Sequence, residues 1–178
     1  MLAAIKYLDA AELPALAEAG IDLVGENRAN YLVERVAEFG ELFEWHFIGQ
    51  LQSRKVKLIA PHVTLIHSLA SESALRELGR HARPGLEVLI EVNVAGDPAK
   101  AGIAPAELDS YIERCPVPVR GLMTMPPLKG DPRPHFAALR ELAERRGLGE
   151  LSMGTSGDFE AAVAEGSTIV RLGTILYR

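Results

Sequence analysis

The stretch "IKYLDAAELP", Ile5 to Pro14, decides between two architectures for this chain. A short apolar run, Leu2 to Ile5, ends in Lys6, and from Asp9 the pattern turns helical with no glycine-rich turn between. A doubly wound sheet that binds a nucleotide carries a glycine fingerprint at this place, because the backbone must approach the phosphates closely. No such loop stands here. The other architecture is a closed (β/α)8 barrel, in which every strand ends on one common rim.

Working outward, strand-like and helix-like patterns alternate along the chain. The strands are expected at 2–6, 22–27, 44–49, 63–68, 86–94, 119–125, 150–155 and 168–174. The helices are expected at 10–19, 29–39, 53–59, 72–82, 105–114, 133–146 and 158–164. Asp9, Ser71 and Ser156 suit N-caps, and Gly20, Gly40, Gly147 and Gly166 stand where helices should stop. Several strands are near-continuous apolar runs, as in parallel sheets covered on both faces. The fold expected is α/β, a single (β/α)8 TIM barrel over residues 1–178. It is shorter than the ~250 residues typical of that fold. The sequence begins on a strand and finishes just after one, so the eighth helix is expected to be lacking.

Composition narrows the function. With 178 residues, 48% of them hydrophobic, the chain can bury one sizeable core. A formal net charge of -5 argues against a general nucleic-acid binder. The cluster Arg54, Lys55 and Lys57 suits a solvated helix face. No apolar run is long enough to span a bilayer, and no basic n-region marks a signal peptide. The single Cys115 fits a reducing cytoplasm, where the chain is expected to reside.

In such a barrel the reactive groups gather at the C-terminal strand ends. Lys6 ends the first strand and Asn27 the second; His67 closes the fourth, Asn93 the fifth and Met123 the sixth. After the seventh comes "MGTSGD", where hydroxyls and free amides at a helix start suit an anion. At the eighth, "RLGT" supplies Gly173 and Thr174, and the loops after strands seven and eight are a frequent phosphate site. Arg171 shares a strand face with Gly173 and needs an acceptor there. Either Glu26 or Glu91 would serve, or a ring nitrogen or acid on a ligand. A lysine amine, a phosphate cradle and a facing arginine together suggest pyridoxal 5'-phosphate, the amine forming a Schiff base with the aldehyde.

The segments "AAIK", "GENR", "WHFIGQLQSRKVK", "IHSL", "GLMTMPP" and "LSMGTSGDFEAAVAEGSTIVRLGT" closely resemble the pyridoxal phosphate homeostasis protein family over the whole chain. The resemblance implies a barrel like the N-terminal domain of alanine racemase, with the cofactor held covalently on Lys6. It further implies Ser156, Gly173 and Thr174 on the phosphate and Arg171 at the pyridine nitrogen. Asn27, His67, Asn93 and Met123 would line the pocket. Two departures stand out. The family carries a helical segment ahead of the lysine strand, which is lacking here, and its strand commonly reads valine-serine-lysine-threonine.

The function implied is intracellular pyridoxal phosphate (vitamin B6) homeostasis by a monomeric carrier without robust catalysis. Pyridoxal phosphate-dependent apoenzymes are the candidate recipients. The alternatives are a small amino-acid racemase using the same lysine, and a barrel for some other phosphorylated metabolite. The five histidines fall on separate elements, so no metal site is expected, and His46 is read with Trp45 as core and strand rim. Nothing beyond their charge marks Glu26 and Glu91 as a catalytic acid and base.

Overall fold

A computed structural model of the chain describes Met1 to Tyr177. Among the described residues, eight parallel strands close a barrel in chain order. They are β1 (Leu2–Ala4), β2 (Leu23–Glu26), β3 (Glu44–Phe47), β4 (Leu65–Leu69), β5 (Glu87–Glu91), β6 (Val119–Met123), β7 (Glu150–Thr155) and β8 (Ile169–Leu172). Between them run α1 (Leu13–Glu18), α2 (Ala29–Phe39), α3 (Val56–Ile59), α4 (Glu72–His81), α5 (Leu108–Arg114), α6 (Arg133–Glu144) and α7 (Phe159–Ala164). The seam is made by β1 against β8, with Leu2 opposite Arg171 and Ala3 opposite Leu172.

All the strands but β7 are shorter than the runs expected. Lys6 therefore lies two residues beyond β1 rather than within it. Single-turn 3-10 segments precede α1, α3 and α5, where the sequence pattern reads as one continuous helix. Ser71 caps α4 as expected, its Oγ accepting from the Ala74 amide at 3.2 Å. Gly166 follows α7 at φ 90°, a left-handed conformation that glycine adopts without strain. Gly40 does not stop α2 in that way: it stays right-handed and leads into a further 3-10 turn.

Two apolar layers hold the barrel. Inside, Leu2, Leu65, Leu89, Met123 and Ile169 form a plug joined by Ala4, Leu23 and Ile48. Outside, a larger cluster lies between strands and helices, including Val24, Leu32, Phe47, Ile66, Leu78, Ile90, Leu122 and Phe136. The period-2 alternation of a strand divides the two sets: Leu2 points in and Ala3 out, Leu89 in and Ile90 out. Polar residues at inward positions are thereby committed to the lumen or to its mouth.

Candidate functional site

The loops after β6, β7 and β8 enclose a cavity of about 710 Å³ at the mouth. Ser156 and Arg171 both line it. The sequence suits Ser156 to capping α7, but Asp158 occupies that position. Asp158 Oδ1 accepts from the Thr155 amide at 2.6 Å and from Thr155 Oγ1 at 3.0 Å. Ser156 is left free to join the two loops: its Oγ accepts from the amides of Gly173 at 3.3 Å and Ile175 at 3.5 Å. Among the described residues, the amides of Ser156, Gly157 and Thr174 on these loops have no acceptor. A Cβ built on Gly157 meets nothing within 4 Å, so the chain there borders open space. This is a cradle of free donors suited to a phosphate.

Gly154 makes the cradle compact. At φ +93° a Cβ would stand 2.5 Å from the Ala162 Cβ and 3.1 Å from the Phe159 Cα, so only glycine lets α7 pack this closely.

Arg171 is 6% exposed and almost fully bonded. Its Nη1 donates to the Ser152 carbonyl at 2.8 Å and to Ser152 Oγ at 2.5 Å. Its Nη2 donates to the Thr124 carbonyl at 3.1 Å and meets Met125 Sδ at 2.8 Å. Among the described residues, Nε–H has no acceptor, which leaves one donor of a planar fork for a ligand. Burial lowers the guanidinium pKa to about 10, opposed by the charges of Glu91 and Asp158, so it stays a cation at neutral pH. Neither carboxylate considered from sequence bonds it. Glu26 faces the other way and pairs with Arg35 at 2.5 Å. Glu91 is buried nearby, and that burial raises its pKa against the pull of Arg171.

Lys6 lines a different, smaller cavity of about 380 Å³ with Tyr7, Arg28, Tyr31 and Arg35. Its Nζ lies over the Tyr7 ring, 4.4 Å from the centroid, and not beside Arg171 or Ser156. The loop carrying it is clamped from α2: Arg35 donates to the Ile5 carbonyl at 2.9 Å and to the Leu8 carbonyl.

The remaining sequence-selected residues do not line the 710 Å³ cavity, Gly173 and Thr174 among them, although they lie between Arg171 and Ile175, which do. Asn27 follows β2 and packs against Gly49, its Oδ1 buried without a partner among the described residues. His67 is fully buried in the lumen, and Met123 belongs to the apolar plug. Asn93 turns to its own loop, donating to the Asp97 carbonyl at 2.8 Å. Met125 lines the cavity and was not singled out from sequence, although it lies two residues after Met123.

Barrel closure also assembles what no local spacing shows. His46 Nδ1 and His67 Nε2 are 2.9 Å apart inside the lumen, and His67 Nδ1 is 2.8 Å from Ser152 Oγ. Among the described residues, no three His, Cys, Asp or Glu side chains group as metal ligands. No helix among them is long and apolar enough to cross a membrane.

Comparison with known proteins places this geometry in context. The family model described as alanine racemase, N-terminal domain, matches residues 5–178. A pyridoxal phosphate homeostasis protein from Aquifex aeolicus is 43% identical over 175 residues, covering 89% of this chain and 77% of that protein. The structure of PipY from Synechococcus elongatus, with PLP bound, superposes with a TM-score of 0.86 at 32% identity, covering 100% of this chain and 92% of that one. Alanine racemase from Corynebacterium glutamicum shares the fold at a TM-score of 0.76 and 16% identity, over 99% of this chain and 54% of its own.

Proposed function

Because this chain belongs to the pyridoxal phosphate homeostasis protein family, built on the alanine racemase N-terminal-domain barrel, we propose that it binds pyridoxal 5'-phosphate and serves vitamin B6 homeostasis within the cell as a carrier. One observation carries the reading. Ser156 and Gly157, whose amides are free, and Arg171, whose Nε–H is free, line one cavity, and the free Thr174 amide adjoins Ile175 at its edge. Such donors fit a phosphate at one end and a ring acceptor at the other.

In this reading Ser156, Gly173 and Thr174 hold the phosphate, and Arg171 directs Nε–H at the ring nitrogen. A cationic guanidinium has no acceptor, so a nitrogen facing it is kept unprotonated. When bound, the cofactor supplies an aldehyde that a lysine amine can take up covalently. Lys6 is assigned that part. Its amine leans on the exposed Tyr7 ring, a contact of ~1 kcal/mol at most, which rotation of its flexible stem can give up. Asn27, next along the rim, offers a buried Oδ1 that has no partner among the described residues.

The same reading assigns no robust turnover. A racemase needs proton donors and acceptors on both faces of the substrate carbon. Tyr177, the tyrosine nearest the eighth strand, half-buries toward Arg35 and Glu12 and does not line the 710 Å³ cavity. Tyr7 and Tyr31 stand on the Lys6 cavity instead, so catalysis has to be assayed directly.

The test is the visible absorbance of protein mixed with pyridoxal 5'-phosphate, followed by borohydride reduction and peptide mapping. A band trapped on the peptide containing Lys6 supports the assignment. Binding without trapping removes the covalent role of Lys6, and no binding removes the reading. Deuterium exchange at the Cα of L-alanine at ~1 per second or faster, lost in Lys6→Ala, would replace the carrier by the racemase.

A further inference from the structure

The polar groups of the lumen connect in sequence from the mouth to the opposite face. Arg171 Nη1 reaches Ser152 Oγ at 2.5 Å, and Ser152 Oγ lies 2.8 Å from His67 Nδ1. His67 Nε2 lies 2.9 Å from His46 Nδ1, and His46 Nε2 is 3.2 Å from Glu44 Oε1. Glu44 opens β3 on the N-terminal face, its side chain 55% exposed.

With both imidazoles neutral, the chemistry permits one arrangement of protons. The Glu44 carboxylate can only accept, so His46 carries its proton on Nε2 and its bare Nδ1 accepts. His67 must then donate to it from Nε2, which leaves His67 Nδ1 bare to accept from the Ser152 hydroxyl. Ser152 Oγ in turn accepts from the guanidinium, which can only donate. We propose that Arg171, Ser152, His67, His46 and Glu44 form a one-way hydrogen-bond chain through the barrel, which holds the guanidinium so that Nε–H faces the mouth. Ser152, His67 and His46 are then positioning residues for Arg171.

The charged surroundings agree. Burial, the neighbouring His46 and the Arg171 charge push the His67 pKa well below 6.5. Burial lowers that of His46 as well, although Glu44 and Glu150 oppose it. Burial works against the Glu44 carboxylate, but hydrogen bonds from Thr64 and His46 outweigh it and keep it ionised. Glu91 and Asp158 face Arg171 from β5 and the β7 loop. A proton added to His67 Nδ1 would confront both the Ser152 hydroxyl and the guanidinium, and the chain would break.

The protonation pattern stands without any ligand; its bearing on cofactor affinity rests on the function proposed above. The experiment separates the two. Long-range proton–nitrogen NMR of histidine in the ligand-free protein should show Nε2–H and bare Nδ1 on both His46 and His67 near neutral pH. A proton on His67 Nδ1 overturns the proposal. In Ser152→Ala the resolved Arg171 Nε–H signal should shift and exchange faster, and the affinity for pyridoxal 5'-phosphate should fall about tenfold. Glu44→Leu, a surface change that leaves the fold intact, should disturb the histidine nitrogen signals, while Glu44→Gln, which keeps an acceptor, should restore them. Unchanged histidine and Arg171 signals in both Ser152→Ala and Glu44→Leu also overturn it. If wild-type protein binds no pyridoxal 5'-phosphate yet the NMR pattern holds, the function fails and the chain stands.

Discussion

Arg35 and Glu26 form a buried pair, Nη1 to Oε2 at 2.5 Å, that fixes the loop bearing Lys6 to the end of the second strand. The carboxylate's other oxygen accepts from the amides of Asn27 at 2.7 Å and Arg28 at 2.9 Å. The guanidinium also donates to the carbonyls of Ile5 and Leu8. Removing one partner leaves a charge in the core with no water to replace it.

Arg35→Ala should therefore cost about 3 kcal/mol or more, seen as a thermal midpoint lowered by roughly 10 °C. Where the variant still folds, borohydride trapping at Lys6 should fall, since the loop has lost its clamp. A midpoint within a degree or two of wild type would mean that the pair contributes little.

Lys6→Ala should abolish trapping while leaving the midpoint nearly unchanged. The side chain is only half-buried and contacts the exposed Tyr7, so its loss opens no core cavity. Cofactor trapped on another lysine of the variant, such as Lys55, would move the covalent site.

Gly154→Ala should destabilise the protein by about 1–3 kcal/mol through overpacking and backbone strain. It should also weaken phosphate binding, because α7 must back away from the β7 loop. Inorganic phosphate titrated against the variant and the wild type measures the second effect without the aldehyde. Equal affinities would separate the cradle from the packing of α7.

Stability should fall as pH drops below 6.5. His46 and His67 are held neutral in the folded state, with pKa values lowered from 6.5 by burial first of all. The unfolded chain takes up those protons where the folded one does not, so the loss begins at the unfolded pKa and grows on acidification. The slope should approach about 1.4 kcal/mol per pH unit for the His67 proton, with a further part from His46. Urea unfolding across this range, compared with a His46→Gln and His67→Gln double variant, checks it. A wild-type slope no steeper than the variant's would show that the pair titrates freely.

The barrel was legible because its signals are local. Apolar runs, caps and stops lie within a few residues of one another, and α2 and β7 were placed to the residue. The mouth residues Ser156 and Arg171 were legible because the rule for strand ends applies one strand at a time. Pairings across the lumen were not. His46 meets His67 only because β3 and β4 take one particular register, and Ser152 joins them from β7, three strands further on. Glu26 was one of the acceptors considered for Arg171, beside Glu91 and a ligand atom. One residue of strand parity sends Glu26 outward to Arg35 instead. Lys6 was expected to end the first strand but lies two residues past it, with its amine over Tyr7, a neighbour no strand rule reaches.

The seam between β1 and β8 carries a consequence for the life of the protein in the cell. Lys6 leaves the ribosome long before Arg171. At ~5–20 residues per second the interval between them is roughly 10–30 s. During that time the first strand has an open edge and no partner to close it. A ligand that touches both sides of the seam acts on this joint by mass action, adding about 2.7 kcal/mol at a hundredfold excess over its Kd. Abundance of the folded chain then tracks the supply of the molecule it holds, through degradation of the unclosed form. The protein's own turnover becomes a gauge of its ligand.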